Sequence, residues 1–67
     1  MRIEYDRDAD AAYIYLEEKI AEGEVVETIE LNKEIILDFD KNKKLLGIEI
    51  LHASKTMPSK AVAQIAH

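Results

Sequence analysis

The sequence predicts an α+β fold: a small antiparallel β-meander sheet of four to five short strands with one C-terminal helix at about residues 58–66. Three observations predict it. Apolar and polar residues alternate with a period of two over several short runs, the mark of half-buried strands. Clusters of Asp, Asn, Lys and Gly separate those runs, and such residues turn a chain. The single proline, Pro58, stands before Ala61, Val62, Ile65 and Ala66, which fall at helical spacing. No repeat, low-complexity tract or linker divides the chain, so residues 1–67 read as one domain.

The first strand is Arg2-Ile3-Glu4-Tyr5, alternating polar with apolar, and it is broken by Asp6 to Asp10. Ala11 to Leu16 resumes with aromatic and β-branched residues at both parities, as in a strand covered on both faces. Alanine's helix propensity makes a helix the rival reading there. Lys19 to Gly23 is a polar connection, and Glu24 to Leu31 is the next strand, with Val25, Ile29 and Leu31 sharing one parity. Asn32-Lys33 supplies a turn, Asn being tolerant of a left-handed backbone.

The clearest alternation follows, with Ile35, Leu37 and Phe39 on one face and Asp38 and Asp40 on the other. Leu45 to Leu51 lies beyond the basic turn Lys41-Asn42-Lys43-Lys44. Directly opposed residues of an antiparallel pair point to one face, so register follows from pattern. Setting Phe39 opposite Leu46, Leu37 opposite Ile48 and Ile35 opposite Ile50 gives an unbroken apolar strip. On the reverse face that register sets Asp38 opposite Gly47 and Ile36 opposite Glu49. Ser54 to Met57 reads as a helical turn, and Pro58 suits the first position of a helix, where its missing N–H costs nothing. The helix is too short to stand alone and covers the apolar strip. The other face keeps Ile36, Leu45, Leu51, Val26 and a tyrosine, an apolar patch that points to a homodimer.

With 67 residues, the chain buries only about 60% of the surface it exposes when unfolded. Cysteine is absent, so disulfides and thiolate zinc sites are excluded, and packing or oligomerisation must supply stability. No apolar leader and no run of roughly 18 apolar residues occurs, so a soluble, cytoplasmic protein with no membrane partner is expected. The net charge of −5 opposes phosphate backbones, and direct nucleic-acid binding is not expected.

Several constellations suggest chemistry. Asp6, Asp8 and Asp10 with Glu17 match the ligand spacing of a calcium loop, but Ala11 stands where that loop needs Gly, and the flanks are strands. A solvated acidic turn accounts for them better, and no metal or cofactor is expected. Asp38, Asp40 and Glu49 share the reverse face and could act as paired carboxylates. The plainer account has Asp38 bonding Thr28 or backbone and Glu49 in solvent. Tyr5, Tyr13 and Tyr15 lack the basic groove of a base-stacking platform. Ser54, Ser59, His52 and His67 carry no elbow or triad signature, and both histidines read as surface residues.

Tyr5-Asp6, Ala9-Asp10-Ala11, Tyr13-Ile14, Leu37-Asp38 with Asp40, and Gly47-Ile48-Glu49-Ile50-Leu51 with Ala53-Ser54 together resemble a family of small prokaryotic proteins known as domain of unknown function 2283. The resemblance spans roughly residues 1–55 and departs at Asn32-Lys33, where many relatives carry Gly, and at Phe39, where Tyr is common. It implies no activity, cofactor or catalytic residue. It does imply stand-alone proteins, some encoded beside small toxin-like proteins, and hence an antitoxin-like role. The expected function is therefore a non-enzymatic, self-associating interaction domain, a homodimer that binds a small basic protein. The alternative is a ligand- or metal-binding domain, less readily an enzyme, using the acidic and tyrosine face. Tyr5, Asp10, Tyr13, Ile36, Asp38, Gly47 and Glu49 are the interaction candidates.

Overall fold

The computed structural model describes residues 1–66; His67 lies outside the described residues. Five strands and two short helices form, β1 (Arg2–Asp6), β2 (Ala11–Tyr15), β3 (Glu27–Glu30), β4 (Ile35–Phe39), β5 (Leu45–Leu51), α1 (Ala53–Thr56) and α2 (Ser59–Ile65). The strands make one antiparallel sheet in the order β1-β2-β5-β4-β3. Up-and-down neighbours occur within β1–β2 and within β3–β4–β5, and residues 16–26 carry the chain to the far edge between them. Apolar content explains the order. Strand β5, Leu-Leu-Gly-Ile-Glu-Ile-Leu, is the longest and most buried and lies in the middle, whereas Glu-Thr-Ile-Glu of β3 is exposed throughout and lies at an edge.

Residues 11–15 are strand and not helix, because β2 pairs on both sides, with β1 and with β5. Propensity yields to tertiary pairing here. Between β4 and β5 the expected register holds for Ile35–Ile50, Ile36–Glu49, Leu37–Ile48 and Asp38–Gly47, then shifts so that Phe39 pairs with Leu45. The expected Phe39–Leu46 pair is thus corrected. Leu46 is the extra residue of a β-bulge, with only 1% of its surface exposed. Burying a leucine so fully contributes roughly 1.5–3 kcal/mol, which explains why the bulge is tolerated. Leu45 accordingly joins Phe39 and leaves the reverse face where it was expected.

Left-handed backbone is found at Asp10, Lys43 and His52 among non-glycine residues, and not at Asn32. Asn32 turns the chain with its side chain, Oδ1 accepting from the N–H groups of Glu34 and Ile35 at 2.8 and 2.9 Å. That bond explains how the turn manages without glycine. Asp40 does the same for the β4–β5 turn, its Oδ1 accepting from Asn42 and Lys44 N–H at 2.8 and 2.9 Å.

Pro58 is the N-cap of α2 rather than its first helical residue, and its carbonyl accepts from Ala61 N–H at 2.9 Å. Ala61, Val62, Ile65 and Ala66 turn inward and are half-buried, as their spacing predicts. The core is small: Ala12, Ile50 and Ala53 are buried, with Tyr5, Ile14, Ile48, Met57 and Ile65 packed around them. Helix α1 packs on β5 and α2 on β1. Among the described residues, no helix packs on β3 or β4. Ile35, Leu37 and Phe39 remain half-buried and Ile29 is 43% exposed, so the helix covers less of the apolar strip than expected.

Candidate functional site

Paired register puts Arg2, Glu4, Tyr13, Tyr15, Glu49, Gly47, Ile36, Asp38 and Thr28 on the face opposite the helices. Its centre is Gly47. A Cβ there would lie 2.2 Å from the hydroxyl oxygen of Tyr13, so the Tyr13 ring occupies the space a side chain would fill. Lying across Gly47, the Tyr13 hydroxyl reaches over β5 to β4 and donates to Asp38 Oδ2 at 2.6 Å. Thr28 Oγ1 donates to Asp38 Oδ1 at 2.8 Å from the far side. The same face continues toward β1, where Tyr15 packs edge-on against Tyr13 with centroids 4.6 Å apart and donates to Glu4 Oε1 at 2.9 Å. Arg2 stacks 3.9 Å over the Tyr15 ring and pairs with Glu4. One chain of contacts therefore ties all five strands together across this face.

The electrostatics are those of a network at rest. Burial, then the bond to Asp38, pushes the Tyr13 phenol well above its ordinary pKa, so it is a fixed donor and not a base. The bond to Glu4 likewise raises Tyr15. Both Asp38 oxygens already accept from protein hydroxyls. Glu49 stands between Tyr13 and Ile36 and contributes negative field toward the phenol. An open groove of about 700 Å³ runs beside Tyr13, lined among others by Glu4, Ala11, Glu49 and Arg7.

Asp10 and Tyr5 are brought together elsewhere, at the junction of the β1–β2 turn with α1. Asp10, in left-handed backbone, accepts from Tyr5 Oη at 2.7 Å, Ser54 Oγ at 2.7 Å and Ser54 N–H at 3.1 Å. Its carbonyl takes the Ala53 N–H at 2.8 Å. His52, the N-cap of α1, makes no side-chain cap bond, so Asp10 caps that helix from a distant part of the chain. Ser54's bonds, then Tyr5's, hold the Asp10 carboxyl below the ordinary carboxylate range. The Tyr5 phenol is raised by the same contact.

The sequence candidates thus fall into two places, Tyr13, Asp38, Gly47, Glu49 and Ile36 on the reverse face and Tyr5 with Asp10 at the helix junction. Asp38 bonds Thr28 as expected. Asp40 does not join Asp38 and Glu49, because its carboxylate serves the β4–β5 turn. The calcium-loop set is dispersed too: Asp6 Oδ1 accepts from Asp8 and Ala9 N–H, Asp10 caps α1, and Glu17 is raised by the neighbouring Glu24 carboxyl. Among the described residues no three His, Cys, Asp or Glu side chains are grouped to hold a metal, and no helix is long and apolar enough to cross a membrane. Residue-level reading missed the Arg2–Glu4–Tyr15 cluster, which the Arg2–Tyr15 register would have revealed, and the Glu34–His52 pair at 2.6 Å. For Ser54 as the partner of Asp10, 44 positions away, no local signal exists.

A family model described as Protein of unknown function (DUF2283) matches residues 2–54, from the first strand to the serine that Asp10 holds. No curated protein and no solved structure matches the chain. The chain belongs to the DUF2283 family.

Proposed function

We propose, with that membership as the premise, that this protein is a non-enzymatic, self-associating interaction domain of the cytoplasm. Two copies pack through the part of the helix-bearing sheet face that the helices leave open, and the acidic surface then meets a small basic protein in the manner of an antitoxin. One observation carries the reading. Ile35, Leu37, Phe39 and Ile48 form a continuous half-buried strip, and Ile29 beside it is 43% exposed. Sheet faces of this kind pack against one another with strands inclined by about 30°. The polar reverse face lends itself less to this, since its hydroxyls and carboxylates already satisfy one another.

The prokaryotic setting and the basic partner rest on the family resemblance and on the net charge of −5, which speeds encounter with a cation-rich surface. Light scattering coupled to size-exclusion chromatography at micromolar concentration is expected to give twice the 7.6 kDa chain mass. A monomer mass there overturns self-association.

A further inference from the structure

Strand β3 is a sheet edge with no strand paired on its outer side among the described residues, and all four of its residues are exposed. Leu31 N–H bonds the Ile35 carbonyl in β4, which fixes the alternation of the ladder. Glu27 and Ile29 therefore bond inward to β4, while Thr28 and Glu30 direct N–H and C=O groups outward. An edge of this kind is a template for an added strand.

Its charge selects the strand. Residues 22–34 hold Glu22, Glu24, Glu27, Glu30 and Glu34 against Lys33 alone, a balance of −4 in a chain of −5. Glu27 and Glu30 enter no ion pair among the described residues. A second copy adding through β3 in antiparallel fashion would bring two such acidic edges together, and a pairing centred on Glu30 would set the two Glu30 side chains directly opposite, where like charges are repelled. Self-association is thereby turned away from this edge and toward the apolar face. The opposite edge differs: β1 carries Arg2, Arg7 follows it, and α2 packs against it, with Arg7 donating to the Ala66 carbonyl at 3.2 Å.

We infer that the free edge of β3 takes an extended, lysine- or arginine-bearing segment of a partner protein as an added antiparallel strand. The inference rests on the reading of this chain as an interaction domain and names where and how the basic partner is held. Same-face pairing sets the segment's pattern. Opposite Glu30, Ile29, Thr28 and Glu27 in turn, it places a basic, an apolar, a small polar and a basic residue.

The probe is a short peptide containing Lys-Val-Thr-Lys, with the Glu-Val-Thr-Glu peptide as its control, titrated into the full-length protein and followed by amide NMR. Thr28 and Glu30 amides are expected to shift and to slow in hydrogen exchange, while the Ile29 amide, already bonded to β4, changes little. Affinity falls as salt is raised. Glu27→Lys with Glu30→Lys is expected to weaken binding about tenfold. The neutral pair Glu27→Gln with Glu30→Gln falls between, and guards against a fold lost to charge reversal.

Shifts confined to Leu37 and Ile48, no shifts at all, equal binding of the acidic control, or indifference to the charge reversal would each overturn the edge. A dimer that binds the peptide only on its apolar face keeps the interaction domain and loses this inference. A strict monomer that takes the peptide at Thr28 and Glu30 keeps this inference and loses self-association.

Discussion

The two faces of the sheet solve the problem of a small core in opposite ways. On the reverse face, side chains from every strand finish one another: Tyr13 lies over Gly47 and donates to Asp38, Thr28 reaches the same carboxylate, and Tyr15, Glu4 and Arg2 close the other end. On the helix-bearing face, apolar side chains can be finished only by more apolar surface, and eleven helical residues in α1 and α2 do not supply enough. Directional bonds close a surface locally, whereas apolar burial is proportional to area. A small chain therefore completes its polar face alone and leaves its apolar face short.

The sharpest way to break the reverse face is Gly47→Val. Its side chain must expel the Tyr13 ring and sever the bond to Asp38, and a loss of roughly 2–3 kcal/mol is expected in denaturant unfolding. Adding Tyr13→Ala should return part of that loss. Simple additivity of the two changes would show that the ring is not the obstacle.

On the apolar face, Ile29→Lys places a charge on an exposed position, so stability should hardly change. The dimer constant should weaken about tenfold, or ~1.4 kcal/mol, measured by sedimentation equilibrium. An unchanged constant would move the interface elsewhere.

Tyr13→Phe removes only the hydroxyl and leaves Asp38 one donor short, at a cost of about 1 kcal/mol. Its alkaline limb is informative. The phenol is raised in the folded state, so the unfolded chain loses its proton first, from about its ordinary pKa of 10.0. Stability is fully present below that pH and declines above it. The decline should be shallower in Tyr13→Phe.

The helix junction gives the opposite sign and a smaller effect. Asp10 is depressed below its ordinary 3.8, so its contribution is present above that pH and is lost as pH falls through the lower, folded-state value. Asp10→Asn, which keeps the left-handed backbone tolerable, should flatten the acid limb of a melting-temperature profile. Smallest of all, Arg2→Ala removes an exposed stack and ion pair and should cost about 0.5 kcal/mol or less by the same unfolding assay.

Much of this architecture was legible in the chain itself. Period-two alternation located β4 and β5 and set their register from Ile35–Ile50 to Asp38–Gly47, and helical spacing identified the inward residues of α2. Asp38 and Gly47 could be placed opposite one another because side-chain direction in a strand depends on parity alone. Ring and carboxylate geometry was not legible, since Tyr13 reaches Asp38 across an intervening strand. Nor was the Asp10–Ser54 cap, which joins residues 44 positions apart, or the bulge at Leu46 that redirects Leu45.

The sequence by itself determined where β1, β4, β5 and their turns fall, which of their residues share a face short of the bulge, and that the chain is acidic and cysteine-free, because these follow from local periodicity and composition. Tertiary structure alone decided that residues 11–15 pair as a strand, that Asp10 caps a helix far along the chain, and which part of the apolar face stays open. Those outcomes depend on distances between segments remote in sequence, and no short-range pattern encodes them.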